Sequence, residues 1–166
     1  DSGLDLVVGG PPCQGFSGIG IRRSHPVDRK DNPSNSLYVK MSEIIGYLRP
    51  KIFLFENVRG ILNAKWRAGG NDSVFDDILR TFREIPDYEV RWSLLYAKNY
   101  DVPQNRPRVI IVGIRKDILS ASSQVDHLVD MDDAIKTGFL PNPIGRHPPD
   151  LEDLLSDLIV QLNLLF

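Results

Sequence analysis

Leu4-Asp5-Leu6-Val7-Val8-Gly9-Gly10-Pro11-Pro12-Cys13-Gln14-Gly15-Phe16-Ser17 is the stretch on which the reading of this chain turns. The apolar run 4–8, bounded by glycines, predicts a buried parallel strand. The residues after Gly10 cannot continue it, because two prolines supply no N–H to a ladder and do not propagate a helix. The sequence therefore leaves the strand at Gly9 and enters a loop carrying Cys13, the single cysteine of the chain. Loops at the carboxyl ends of parallel strands are where open α/β sheets bind ligands. The prolines stiffen the approach, and Gly15 lets the backbone turn away. A lone intracellular cysteine is more often a small buried hydrophobe. This setting instead favours a reactive side chain on a fixed support.

Outward from that loop, residues 18–35 are rich in Gly, Arg, Ser, Pro and Asn and show no hydrophobic period. They read as a long, glycine-hinged, basic loop, either a surface loop or a lid. Ser36 is placed as a helix N-cap, ahead of an apolar stripe of Leu37, Met41, Ile44, Ile45 and Leu48, with Pro50 ending the helix. Lys51-Ile52-Phe53-Leu54-Phe55 predicts a second buried strand running into Glu56-Asn57-Val58-Arg59-Gly60. Asn71 or Asp72 is expected to cap a second helix with Val74, Phe75, Ile78, Leu79 and Phe82 inward. Residues 88–97 alternate as a strand. Residues 108–114 form the last strand, close enough to its predecessor to pair antiparallel. The succession of strands and helices implies an α/β open sheet.

The whole chain has 166 residues, 42% hydrophobic and 25% charged, enough for one domain or a large part of one. No stretch is long and apolar enough to span a bilayer, and no secretory leader opens it. One cysteine and three scattered histidines allow no internal disulfide and argue against a metal site. A reducing compartment, the cytoplasm or a nucleus, fits best. The net charge of −2 hides an asymmetry: residues 1–116 carry 18 Lys+Arg against 13 Asp+Glu, and residues 117–166 carry 2 against 9. The first part can meet phosphate and the tail cannot. From residue 117 the pattern weakens into a proline-marked linker and a leucine stripe over 151–162. The start without methionine and the uncapped end read as a piece of a longer protein.

Glu56 is expected at the end of a strand, as Cys13 is, so both can face one crevice, and apolar surroundings would favour the neutral acid. Arg106 and Arg108 flank the start of the last strand. A thiol nucleophile, a carboxyl that can donate to a ring nitrogen and a guanidinium that can hold a carbonyl oxygen suit attack on an electron-poor heterocycle such as a pyrimidine.

Three motifs carry a resemblance: Gly9 to Ser17 with its Pro-Cys-Gln, Phe55-Glu56-Asn57-Val58-Arg59-Gly60, and Val102-Pro103-Gln104-Asn105-Arg106-Pro107-Arg108-Val109. In this order and spacing they resemble the DNA cytosine-5 methyltransferases, over about residues 4–117. Residues 150–158 are faintly similar to the segment before that family's target-recognition region. The resemblance implies a partial Rossmann-like, S-adenosylmethionine-dependent methyltransferase fold: a parallel sheet with an antiparallel last strand. It implies a catalytic half over 1–117 and, over 118–166, an acidic linker leading toward the recognition region. By the same resemblance Cys13 attacks C6 of a flipped cytosine in double-stranded DNA and Glu56 engages N3 and the exocyclic amine. Arg108 holds O2, Arg106 supports the pocket, and C5 takes the methyl group. Pro12 and Leu37 match cofactor-lining positions, and Ser17, Arg22 and Arg23 match phosphate contacts. Pro11, Gln14, Asn57 and Gln104 belong to the same motifs and are expected beside the substrate. The family's glycine-rich cofactor loop and its sequence reader have no counterpart in these residues. The partner is then the remainder of the catalytic domain or a complementary chain. A non-catalytic subunit of a split enzyme and an RNA cytosine methyltransferase are the alternatives.

Overall fold

The computed structural model describes residues 3–12, 33–67, 70–121 and 132–145. The expectations for Cys13 and the loop to residue 32, and for the leucine stripe over 151–162, fall outside the described residues.

Four strands make one sheet in the order β1-β2-β4-β3, with β1 at Leu6–Gly9, β2 at Ile52–Val58, β3 at Tyr88–Tyr96 and β4 at Pro107–Arg115. β1 pairs parallel with β2, from Leu6↔Ile52 to Gly9↔Phe55. β4 enters between β2 and β3 and runs antiparallel to both. So β1, β2 and β3 point one way and the last strand points against them. Three helices complete the described fold: α1 at Leu37–Leu48, α2 at Val74–Arg83 and α3 at Lys116–Ala121.

Period-two alternation in β2 sends Phe53, Phe55 and Asn57 to one buried face and Leu54 and Glu56 to the other. Phe53 and Phe55 are fully buried, as is Phe82 of α2, whose ring lies 5.3 Å and 5.2 Å from theirs. Burying each such ring contributes about 1.5–3 kcal/mol. All five inward positions expected in α2 are buried. Gly113 stands opposite Phe53 in the register, and a Cβ there would come within 2.0 Å of the Phe53 ring. The ring thus fills the space a side chain would need, which explains a glycine in the middle of a buried strand.

Three local expectations are corrected. The cap of α2 is Ser73, not Asn71 or Asp72: its backbone is extended and its Oγ accepts from the Asp76 amide at 3.3 Å. Asp76 and Asp77 in the first turn and Arg80 and Arg83 in the last complement the helix dipole. In α1, Met41 and Ile45 are buried as expected, but Leu37 and Ile44 are exposed and Tyr38 is buried in their place. The Tyr38 hydroxyl donates to Asp77 at 2.7 Å across the α1–α2 contact, so the buried face begins at Tyr38 and continues through Met41 and Ile45. α1 ends before Pro50, with Arg49 in the left-handed region closing the helix through a 2.8 Å bond to the Ile45 carbonyl. Finally, β1 is not buried. Leu4, Leu6 and Val8 are 40, 52 and 61% exposed, because β1 is the edge strand and no described element covers that face.

The far edge is treated differently. Residues 132–140, within the region expected to be a linker, strap onto β3. Trp92 N–H donates to the Asp132 carbonyl at 2.9 Å and Ala134 N–H to the Trp92 carbonyl at 3.0 Å. The expected boundary at residue 117 itself falls inside α3. Asp133 organises the strap: its Oδ1 accepts from Ser93 Oγ at 2.6 Å and from the Ile135 amide at 2.9 Å. Burial pushes the Asp133 carboxyl up, but the hydrogen bonds from Ser93, Ile135 and Lys136 and the charge of Lys136 outweigh it, leaving it below the usual aspartate value. A carboxylate depressed in the folded state stabilises above its unfolded pKa, and that contribution is lost as pH falls through the folded pKa. Hydrogen-exchange protection of the Ala134 and Thr137 amides should therefore fall below about pH 4, and at higher pH in Ser93→Ala. Protection unchanged between pH 6 and pH 3 in both proteins would refute this role for Asp133.

Candidate active site

The carboxyl ends of β1, β2 and β3 and the start of β4 share one edge of the sheet. This is where an open α/β sheet collects ligand-binding loops. Here lie Gly10-Pro11-Pro12 after β1, the 3-10 turn Arg59–Asn63 after β2, and the connection from Ala97 to Arg106 before β4.

Glu56 and Arg108 meet at this edge. Glu56 is opposite Ile110 and Arg108 opposite Val58, so the two are diagonal neighbours on one face of adjacent antiparallel strands. Arg108 Nε lies 2.5 Å from Glu56 Oε1, with side-chain exposures of 20% and 39%. Nε makes no directional hydrogen bond, so the contact is ionic, while Nη1 donates to the Pro107 carbonyl at 2.8 Å. A pair this exposed adds little to stability. Its value is that a base-sized ligand at the edge would meet an acid and a guanidinium already placed side by side.

The strand-end loop closes on the acid. A Cβ on Gly10 would come within 3.1 Å of Glu56 Oε2, so a larger residue there would press the carboxylate aside by a few tenths of an ångström. Sequence reasoning does not single out Gly10, although the Gly9-Gly10 pair ahead of two prolines is the signal. Gly9 is tighter still, since its Cβ would meet Met41 Sδ at 2.6 Å. This contact seats α1 over the end of β1. Leu37 lies one turn before Met41 and is 38% exposed.

Asn57 is 4% exposed on the face opposite Glu56. Its Nδ2 donates to the Pro11 carbonyl at 3.0 Å, and its Oδ1 accepts from the Val58 amide at 2.8 Å. Pro11 is half-buried and Pro12 exposed. Gln104 and Arg106 stand exposed on the tight connection before β4, held through backbone bonds Gln104 N–H to Val102 O and Arg106 N–H to Gln104 O. Cys13, Gln14, Ser17, Arg22 and Arg23 lie outside the described residues. The structure thus brings Glu56 to Arg108 and Asn57 to Pro11, and sets Gln104 and Arg106 on the same edge.

A cleft of about 570 Å³ lined by Arg83, Tyr88, Glu89, Arg91 and Lys116 lies at the opposite edge, where β3 starts and β4 ends. It faces away from the three motif loops. Among the described residues no three His, Cys, Asp or Glu side chains gather as a metal-binding set, and no helix is long and apolar enough to cross a membrane.

The C-5 cytosine-specific DNA methylase family model matches residues 1–157. The chain belongs to that family. The chain is 41% identical over 116 residues to the type II methyltransferase M.DdeI of Desulfomicrobium norvegicum, covering 70% of the chain and 26% of that protein. It is 35% identical over 153 residues to the type II methyltransferase M1.ScrFI of Lactococcus lactis subsp. cremoris, covering 92% of the chain and 36% of that protein. Among solved structures it resembles an E. coli prophage protein assigned as a DNA modification methyltransferase. That match has a TM-score of 0.60 and 25% identity, and it covers 91% of this chain and 34% of that one. The chain therefore spans between a quarter and just over a third of the length of these relatives.

Proposed function

We propose that this chain carries the catalytic edge of an enzyme that transfers a methyl group from S-adenosylmethionine to C5 of a cytosine flipped out of double-stranded DNA. The observation that carries the reading is the Glu56–Arg108 contact, set beside the Gly10–Pro12 run that leads directly into Cys13. Family membership supplies the substrate class.

In this reading the Cys13 thiolate adds to C6 of the ring, and the electron pair of the C5–C6 double bond moves toward C5. Glu56 acts as the acid, giving its proton to N3 as charge reaches it and taking it back when the double bond re-forms. The Arg108 guanidinium holds O2, an electrostatic contribution made where charge develops. S-adenosylmethionine supplies an electrophilic methyl group to the nucleophilic C5. A base then removes the C5 proton, the C5–C6 double bond re-forms, and the thiolate leaves. Pro12 and Leu37 would hold the cofactor. Pro12, three residues past β1, and Leu37, at the start of α1, are exposed apolar side chains, which suits the face of an adenine or a thioether rather than a charged group. Arg106 and Gln104, exposed on the loop at the same edge, are assigned to the DNA side. Ser17, Arg22 and Arg23 take phosphates, and Pro11 and Gln14 flank the base. Base flipping is required because stacking covers C6 inside a duplex.

The uncovered flank of β1 supports a second element of the proposal. Leu6 and Val8 present exposed apolar side chains on β1, the edge strand among the described residues. Parallel strands are stable when both faces are covered. This flank is assigned to the remainder of the catalytic domain or to a complementary chain. The type II relatives favour a restriction–modification setting in the cytoplasm. The test is covalent trapping by full-length protein on 5-fluorocytosine in matched DNA and RNA duplexes. In 5-fluorocytosine, fluorine replaces the C5 hydrogen whose loss frees the enzyme. Trapping on DNA supports the reading. Trapping on RNA alone transfers it to RNA methylation, and no trapping on either favours a non-catalytic subunit.

A further inference from the structure

Asn57 is the last residue on the core face of β2, in line with Phe53 and Phe55. A buried amide on an apolar face is costly unless hydrogen-bonded. Here Nδ2 is directed at the Pro11 carbonyl and Oδ1 at the Val58 amide. The reason for an amide lies in the loop it meets. The β1–β2 register ends at Gly9↔Phe55. Beyond it, Pro11 and Pro12 have no N–H with which to extend the ladder, but Pro11 keeps its carbonyl. The Asn57 side chain crosses to that carbonyl and does the work of the missing backbone bond.

We propose that Asn57 is a positioning residue: it ties the run entering Cys13 to β2 and so sets the reach of the cysteine to a base held by Glu56 and Arg108. The inference rests on the functional reading above. It assigns Asn57 a role behind the site, since strand alternation turns its side chain to the face opposite Glu56. Glu56 and Asn57 are consecutive, so one strand end places the acid with one residue and the nucleophile's loop with the next. Gly10, whose Cβ position lies 3.1 Å from Glu56 Oε2, brings the same loop close to the acid.

The test uses the full-length enzyme and DNA containing a single 5-fluorocytosine. Asn57→Asp keeps the size and the acceptor for Val58 N–H but removes the donor to Pro11. At saturating DNA the single-turnover rate of adduct formation should fall roughly 10- to 100-fold, because a small misplacement of a reacting group costs that much. The Kd for DNA and the KM for the cofactor should stay within about 3-fold, well under one order of magnitude. A purely structural role would lower the melting temperature and leave the adduct rate of the folded fraction unchanged, which would overturn the proposal. A weakened Kd with a normal rate at saturation would make Asn57 a DNA contact and also overturn it. Should Asn57→Asp fail to fold, Asn57→Ser, which retains a shorter hydroxyl donor, carries the same comparison and should lose less rate than Asn57→Ala. A wild type that traps no DNA overturns the functional reading itself, and that outcome is visible before any substitution is made.

Discussion

Full-length protein carrying Cys13→Ser will form no covalent complex with 5-fluorocytosine DNA and will lose methyl transfer by a factor on the order of 10⁴ or more, as nucleophile deletions do elsewhere. A cysteine is a few per cent thiolate at neutral pH and strongly nucleophilic, whereas a serine hydroxyl needs a general base to act at all. Glu56 and Arg108 are the ionisable pair the structure gathers at this edge, and each is engaged with the other. Neither is disposed as a base for a serine. DNA binding should be nearly unchanged, because the substitution alters one atom and no charged contact. The readouts are single-turnover methylation and adduct mass. Transfer equal to wild type would remove Cys13 from the chemistry.

The second large effect belongs to the pair itself. Glu56→Gln should slow methyl transfer by about 10²–10⁴-fold, the usual range for losing a positioned acid–base group. Arg108→Ala should slow it by about 10²–10³-fold, as for one lost electrostatic donor. Arg108→Lys should not restore it, since a point charge does not reproduce the forked guanidinium. Stability gives the discriminating contrast. With 39% of the Glu56 side chain exposed, the pair contributes at most about 1 kcal/mol, so melting temperatures should move by only a few degrees. Rate loss without stability loss is the signature of a site. The reverse pattern would make the contact a strand clamp and nothing more.

The fold is legible where local pattern and burial coincide. The apolar run 52–55 and the stripe Val74, Phe75, Ile78, Leu79 and Phe82 are readable because each buries its own periodic face. The cap at Ser73 is less legible: Asn71, Asp72 and Ser73 are all capping residue types, and the bond from the Asp76 amide to Ser73 Oγ decides among them. Other features depend on partners distant in the chain. β1 reads as buried because its residues are apolar, yet exposure of an edge strand is decided by what lies beside it. The strap at 132–140 has no hydrophobic period. It is held by backbone bonds to Trp92 and by one aspartate that accepts from a serine and two backbone amides, and such an Asx arrangement leaves little trace in sequence. β4 can be paired with β3 from their closeness, but its insertion beside β2 cannot, since that register joins residues fifty or more apart.

The site shows the same division. Glu56 and Arg108 are each marked by a strand end, and their contact arises once β4 lies against β2 and makes them diagonal neighbours. Asn57 is marked by its motif alone. Its bond to Pro11, 46 residues away, comes from the parallel β1–β2 pairing that puts the two strand ends together. The close fit of Gly10 against Glu56 arises from that pairing as well.

The most direct measurement is a crystal structure of the full-length protein trapped on 5-fluorocytosine DNA with cofactor present. It should show Cys13 Sγ bonded to C6 of an extruded base, with Glu56 at N3 and Arg108 at O2 of the same ring. A base bonded to another residue, or one that leaves Glu56 and Arg108 joined to each other and remote from the ring, would contradict the account.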